Sequence, residues 1–558
     1  MGRETLGRIA VTFLLVLSTG ICAAPLSPSD RDSIQQQQSE LLRREQVQRD
    51  ELERSITLPR TAEPSSATSG ASGPCFTLHT ISLSGSTLIK PAAQQTLLSP
   101  WLNRCLNMAE LSQLTGAVTD WYVSRGYITS RAFLTEQDIS GGHLRLVVME
   151  GRLQAIRMDD APPRMLKMAF PGLEGGMLNL RDIEQGMEQI NRTRREPVQI
   201  EILPGDREGW SVVNLTATSE FPVTGSVSVD NSGQKSTGTG QFSGSLSFNN
   251  PLGLADSWFV SGGRSSDFSS SHDAQNVAAG FSLPYGYSLL DYSYAWSHYL
   301  STIDNNGWPW RSTGDTQTHR LNLSHVIFRN GDIKTALTGG LQHRISRNYL
   351  DDVLLQSSSR KLTSFSVGLN HTQKILGGVA TLNPVFTRGM SWLDAETDHG
   401  KQDSEPKSQF RKYSLSASFQ RPVADGLWWL SSAYGQWSPD RLHGAEQLSI
   451  GGENSVRGFK EQYLSGNNGG YLRNELNYAL FTLPFIGQVS TLAAVDGGWL
   501  HADKYDRYAS GTLWGSAVGL SSSARYYSSQ LTVGVPLKYP DWLAPDHLVI
   551  YYRIALAF

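Results

Sequence analysis

The chain closes on Leu548-Val549-Ile550-Tyr551-Tyr552-Arg553-Ile554-Ala555-Leu556-Ala557-Phe558, in which Leu548, Ile550, Tyr552, Ile554, Leu556 and Phe558 share one parity. Successive side chains of a β-strand point to opposite faces, so a period of two places six large apolar groups on one side of the backbone. Such a strand must lay that side against something apolar.

The same pattern recurs upstream. Phe242, Leu246 and Phe248 alternate with Gln241, Ser243, Ser245 and Ser247; Leu290, Tyr292, Tyr294 and Trp296 alternate with Asp291, Ser293, Ala295 and Ser297; Phe365, Val367 and Leu369 do likewise. Small polar residues on the second face suit a water-filled lumen. A soluble β-sandwich or propeller also alternates, but it does not usually place Trp and Tyr repeatedly at strand ends. Only 18% of residues are charged, against about 25% in globular proteins. Beyond the N-terminus no apolar run approaches the roughly 20 residues of a membrane helix, which excludes a multispan helical protein. The net charge of −3 lacks the basic footprint of a nucleic-acid binder. Residues 221–558 therefore read as a transmembrane β-barrel, long enough for sixteen antiparallel strands of about 21 residues with their turns. A terminal amphipathic strand ending in Phe is a recognition feature of bacterial outer-membrane barrels, which makes Phe558 the expected barrel-assembly signal.

The N-terminus agrees with that compartment. Arg3 and Arg8 precede the apolar stretch Ile9 to Leu17, and small residues follow at Gly20, Ala23 and Ala24, the pattern of a secretory signal peptide over residues 1–23. Beyond it, Cys75 and Cys105 are an even pair in an oxidising compartment. A disulfide between them would close a loop of about 30 residues and contribute roughly 3 kcal/mol. Residues 24–60 are polar with balanced charges, and Ser27-Pro28 suits a helix start. A helix from Ser27 to about Leu58 has no wide apolar stripe to bury, so it is either a solvated stalk or a plug in a wet cavity. Residues 61–74, rich in Pro, Ser, Ala and Gly, read as a flexible linker.

Between linker and barrel the order strand, helix, helix, strand, strand occurs twice, over residues 75–150 and 151–220. Leu111, Leu114, Val118 and Tyr122 mark a helix in the first unit, and Ile183, Met187 and Ile190 mark one over Leu180 to Asn191 in the second. In Val198-Gln199-Ile200-Glu201-Ile202-Leu203, Val198, Ile200 and Ile202 point one way and Gln199 and Glu201 the other. The pattern does not say whether this strand is paired on both sides or has a free edge.

Several motifs now carry a family resemblance. Ser455-Val456-Arg457-Gly458-Phe459 resembles the V-R-G-[YF] loop motif of two-partner secretion transporters in the outer-membrane insertase superfamily, and Asp496 and Gly498 resemble its F-x-D-x-G strand motif. Asp230-Asn231 with Thr237-Gly238, Asn250-Pro251-Leu252-Gly253-Leu254, and residues 178–186 also look like this family, near its haemolysin-secreting and contact-dependent-inhibition members. One departure is Ala494, where the family has Phe.

The resemblance implies two periplasmic α+β POTRA domains, a sixteen-stranded barrel in the outer membrane and an N-terminal helix in the pore. It implies export, without ATP, of one large exoprotein (a haemolysin, contact-dependent-inhibition toxin or adhesin), recognised in the periplasm through its N-terminal domain and passed unfolded through the lumen. Further partners would be outer-membrane lipid, the barrel-assembly machinery and periplasmic chaperones. The long loop would fold inward and bring Arg457 to Asp496. Parity supports this: Asp496 shares its face with Ala494, Leu492, Ser490 and Gln488, opposite Val489, Thr491, Ala493 and Val495. An unfolded exoprotein would add a strand along Val198 to Ile202. The alternative within the superfamily is an insertase-like assembly factor. No catalytic site, cofactor or metal is expected: G-Q-K-S-T-G-T at Gly233 to Thr239 lacks the P-loop lysine, and neither G-x-S-x-G nor H-E-x-x-H occurs.

Overall fold

The structure, a computed structural model, describes residues 26–54, 74–159, 162–305, 307–506 and 508–558. The expected signal peptide and nearly all of the linker lie outside these residues.

Helix α1 covers Pro28–Glu53. Ser27 caps it by accepting from the Asp30 N–H at 3.2 Å, and Pro28 supplies the φ a first helical position needs. The helix stops at Glu53, short of the expected Leu58; residues 55–58 are outside the described set. Its 26 residues extend about 39 Å, enough to traverse a bilayer.

The first α+β unit has a three-stranded sheet with His143–Met149 at its centre, parallel to Thr80–Ser84 and antiparallel to Arg131–Leu134. Helices α2 (Pro91–Leu98) and α3 (Met108–Val123) cover one face, and Leu111, Leu114, Val118 and Tyr122 are buried against Leu144, Leu146 and Val148. An Asn107–Glu110 capping box starts α3. Cys75 and Cys105 form a disulfide beside a short ladder of Phe76–Thr77 with Cys105–Leu106. Leu78 and His79 separate Phe76–Thr77 from Thr80–Ser84.

The second unit repeats the plan with strands Arg152–Met158, Trp210–Thr216 and Gln199–Pro204 in that order, and helices α4 (Pro163–Ala169) and α5 (Leu180–Asn191). Its core joins Leu153, Ile156, Ile183, Ile190, Val213 and Leu215.

From Val223 the chain forms one closed antiparallel barrel of sixteen long strands; Val549–Ala557 pairs back onto Val223–Asp230. Phe558 extends that seam, its N–H donating to the Gly225 carbonyl at 2.9 Å. Closure leaves no unpaired edge, the condition for a sheet in lipid. The terminal parity is observed: Ile550, Tyr552, Ile554, Leu556 and Phe558 lie exposed on the outer wall, while Val549 and Tyr551 are buried inside. Short turns such as Gly286–Tyr287 and Asn330–Asp332 meet α4 and α5, and long loops lie at the opposite end. Three strands, Ser288–Asn305, Trp308–Arg329 and Ile333–Leu350, far exceed the roughly 10 residues a bilayer needs, so they project beyond it on the long-loop side.

Candidate functional site: two elements inside the lumen

Two segments that are not wall strands occupy the barrel. The first is the long loop between Leu427–Trp437 and Gly469–Leu483. It folds inward as a short hairpin, Leu448–Ile450 against Leu464–Gly466, carrying residues 451–463 at its tip. An apolar cluster of Leu448, Ile450, Val456, Phe459 and Leu464 from the loop packs on Tyr471, Leu500 and Leu513 of the wall.

At the tip, Arg457 is fixed by a carboxylate fork. Its Nε and Nη2 donate to Asp496 Oδ2 and Oδ1, both at 2.6 Å, and its backbone N–H donates to Oδ2 at 3.1 Å. The planar guanidinium matches the carboxylate edge to edge, a geometry lysine cannot supply. Arg457 Nη1 also reaches Glu475 Oε1 at 2.8 Å, and Arg473 Nη2 meets the same oxygen at 2.8 Å. The four side chains form a neutral quartet of two cations and two anions. Asp496 is 0% exposed, so losing its partner strands a charge without water.

The backbone fit explains the flanking motif residues. Gly458 has φ +98°, and a side chain there would meet the Val535 carbonyl. On the wall, a Cβ at Gly515 would stand 1.8 Å from the Arg457 carbonyl oxygen, so the loop lies flush only because that position is bare. A Cβ at Gly498 would press on Val456 and Ile450. Phe459 is buried, and its carbonyl accepts from the Tyr551 hydroxyl at 3.0 Å. Ala494, where the family motif has Phe, is buried next to Glu475 and Ala517 in the ladder.

The second segment is α1. From its outer end inward, Ser29 Oγ lies 2.6 Å from Thr316 Oγ1, Asp30 accepts from Arg344 Nη2 at 2.9 Å, and Arg31 pairs with Glu461 at 3.1 Å and stacks on Tyr463. Gln38 donates to the Ser449 carbonyl at 2.8 Å, Glu40 pairs with Arg320 at 3.1 Å, Arg49 donates to Ser418, and Glu51 pairs with Lys334 at 2.8 Å. The helix thus runs the depth of the barrel and is held by polar contacts almost throughout. A cavity of about 160 Å³ remains beside it, lined by Gln37, Arg320, Asn322, Gln342, Lys412 and Glu446 among others.

Sequence reasoning paired Arg457 with Asp496 but missed Arg473, Glu475, Gly515 and Tyr551. A signal existed for two of them: charges two residues apart within a strand necessarily share a face, and a charged face belongs to the lumen. Gly515 gave none, because its role depends on which loop crosses it.

Among the described residues, strand Gln199–Pro204 is an edge strand, paired only with Trp210–Thr216. The Gly205 N–H donates to the Trp210 carbonyl at 2.8 Å, and alternation along the ladder then makes Leu203, Glu201 and Gln199 the residues bonded to the inner neighbour. The free-edge donors are the N–H groups of Ile200 and Ile202, not those of Gln199 and Glu201. Val198, on the same side, already donates to Asn191 Oδ1 at 2.9 Å.

No Ser–His grouping was expected, yet Ser408 Oγ lies 3.2 Å from His443 Nε2. Ser408 is 1% exposed and also contacts Lys401 and Glu396, so this contact ties outer loops together and offers a substrate no access. Among the described residues no cluster of His, Cys, Asp and Glu is arranged to hold a metal ion.

Comparison with known proteins agrees with this architecture. Residues 209–522 match the model of the haemolysin secretion/activation protein family ShlB/FhaC/HecB. Residues 76–151 match a ShlB-type POTRA domain, and residues 152–204 match a POTRA domain. The chain is 70% identical to the outer membrane transporter CdiB of Escherichia coli over 98% of this chain and 93% of that protein. It is 31% identical to the hemolysin transporter protein ShlB of Serratia marcescens, over 87% and 86% respectively. A solved structure of CdiB from Escherichia coli superposes with a TM-score of 0.93 over 96% of this chain and all of that one, at 70% identity.

Proposed function

Because the chain belongs to the haemolysin secretion/activation protein family, we propose that it is an outer-membrane transporter that captures one large exoprotein in the periplasm and passes it unfolded through the barrel to the cell surface. The observation that carries this reading is that the lumen is filled by two elements, α1 and the inward loop, neither belonging to the wall. Helix α1 is bound by exchangeable polar contacts, so water can replace each bond as it breaks, at a net cost of about 1 kcal/mol for a neutral bond and about 1.5–3 kcal/mol for one to a charged group. A passive pore has no need of a removable filling. The named relatives are transporters, and no catalytic step is assigned to this chain.

In this reading the POTRA units face the periplasm, Arg457 and Asp496 hold the loop in place, and Phe558 marks the barrel for the assembly machinery after periplasmic chaperones deliver it. The cargo class is a haemolysin, contact-dependent-inhibition toxin or adhesin. The test is secretion of an exoprotein of this class expressed together with the chain: its amount in the medium should fall to background without the chain and return on complementation. Export unchanged by the loss would refute the reading.

Capture is assigned to the free edge at Ile200 and Ile202, where an extended cargo segment gains main-chain hydrogen bonds with little demand on its sequence. Ile202→Pro removes one edge donor while leaving the inner ladder intact. In full-length protein shown by circular dichroism to be folded, Ile202→Pro is expected to lose binding of the exoprotein's N-terminal domain. Ile202→Ala, which trims the same side chain but keeps the N–H, should retain most of it. Equal binding by both variants would remove the edge from the account.

A further inference from the structure

At the periplasmic end of the barrel six charges alternate in sign along one line. Arg181 Nη1 of α5 lies 2.7 Å from Glu184 Oε1, and Glu184 Oε2 lies 3.5 Å from Arg329 Nε of the wall. Arg329 also meets Glu188 of α5, Glu188 meets Lys334 of the wall, and Lys334 Nζ lies 2.8 Å from Glu51 Oε2 at the inner end of α1. The second POTRA unit, the barrel and the lumen helix thus share one chain of ions. Every interior member is flanked by two opposite charges, whereas Glu51 stands last and pairs with Lys334, which is already engaged by Glu188.

That order decides the sign of the coupling. Glu188 and Glu51 sit on the same ammonium, so they repel one another and divide its attraction. Burial pushes the Glu188 carboxyl up, but Lys334 and Arg329 outweigh it and hold it below the ordinary carboxylate range, so it competes for Lys334 as a carboxylate. Docking of α5 does not depend on Glu188 alone: Arg329 Nη1 also donates to Gln185 Oε1 at 2.9 Å, Gln189 Nε2 donates to the Gly286 carbonyl at 3.0 Å, and the Tyr287 hydroxyl donates to Asp182.

We propose that Lys334 is a positioning residue that holds the inner end of α1, and that Glu188 of the second POTRA unit weakens this hold by competing for it, so that the placement of that unit sets how readily α1 leaves the lumen. This rests on the transporter reading in so far as α1 must leave, but the competition itself exists in the empty protein. Movement of α5 away from the rim tightens the helix, and pressing α5 onto Lys334 loosens it.

The test is the open fraction of full-length protein in planar bilayers, with no exoprotein present, so that failure here and failure of export are separate results. Lys334→Met is expected to raise the open fraction roughly tenfold, the shift for losing one charge-assisted bond. Glu188→Gln is expected to lower it several-fold. Both effects should vanish in a Glu51→Gln background, because each acts through Glu51. A purely structural role for Glu188 in docking the POTRA unit predicts more opening, not less. An increase or no change for Glu188→Gln, or effects that persist in the Glu51→Gln background, would overturn the proposal.

Discussion

Deleting residues 28–53 is expected to convert a barrel that conducts poorly into one with several-fold higher single-channel conductance in planar bilayers. A sixteen-stranded barrel encloses an aqueous channel when nothing fills it, and here α1 runs its full depth from Ser29 at Thr316 to Glu51 at Lys334. The wall should survive the deletion, because its strands bond to one another and the helix contributes chiefly side-chain contacts. Assembly is checked by whether the barrel remains resistant to unfolding in detergent. Conductance equal to that of the intact chain would show that α1 does not limit the pore and would return it to the role of a stalk.

Arg457→Ala is expected to reduce secretion more severely than Asp496→Ala, while both barrels assemble. The two changes look reciprocal in sequence, but the quartet makes them unequal. Removing Arg457 leaves the Asp496 carboxyl without its partner and with no exposure to water, a situation that costs about 3–5 kcal/mol, and it also takes one cation from Glu475. Removing Asp496 leaves Arg457 with Glu475 at 2.8 Å. The double variant should therefore be no worse than Arg457→Ala and is expected to recover part of its loss, since no stranded carboxylate remains at position 496. Exoprotein in the medium, normalised to transporter in the membrane, measures all three. Equal and additive losses would mean that the two residues act independently.

What could be read from sequence follows the range of the interactions involved. Period-two alternation is local, so the barrel was legible from its recurrence in many segments, and the direction of Asp496 from its neighbours Ala494 and Val495. The two α+β units were legible because Leu111, Leu114, Val118 and Tyr122 in the first and Ile183, Met187 and Ile190 in the second repeat at helical spacing, while the resemblance implied that they are POTRA domains. Ends of elements were less so: α1 stops at Glu53 rather than near Leu58. Pairing phase along Gln199–Pro204 is set by the turn at Gly205 to Trp210 and by which neighbour the strand joins; side-chain alternation fixes the faces but not which N–H points to the open edge. Contacts between distant segments were the least legible. Gly515 beneath Arg457, Glu475 between two arginines and Lys334 between Glu188 and Glu51 each need three parts of the chain to be placed before their roles exist.

The lumen route is the centre of the account, and neighbouring residues of opposite parity test it. Asn322 lines the cavity beside α1, whereas Leu321 is exposed on the lipid-facing wall. With a photo-crosslinking side chain placed at one position or the other, and the exoprotein stalled during export, position 322 should form adducts to it and position 321 should not. Adducts from 321 with none from 322 would place the cargo outside the barrel and contradict the account.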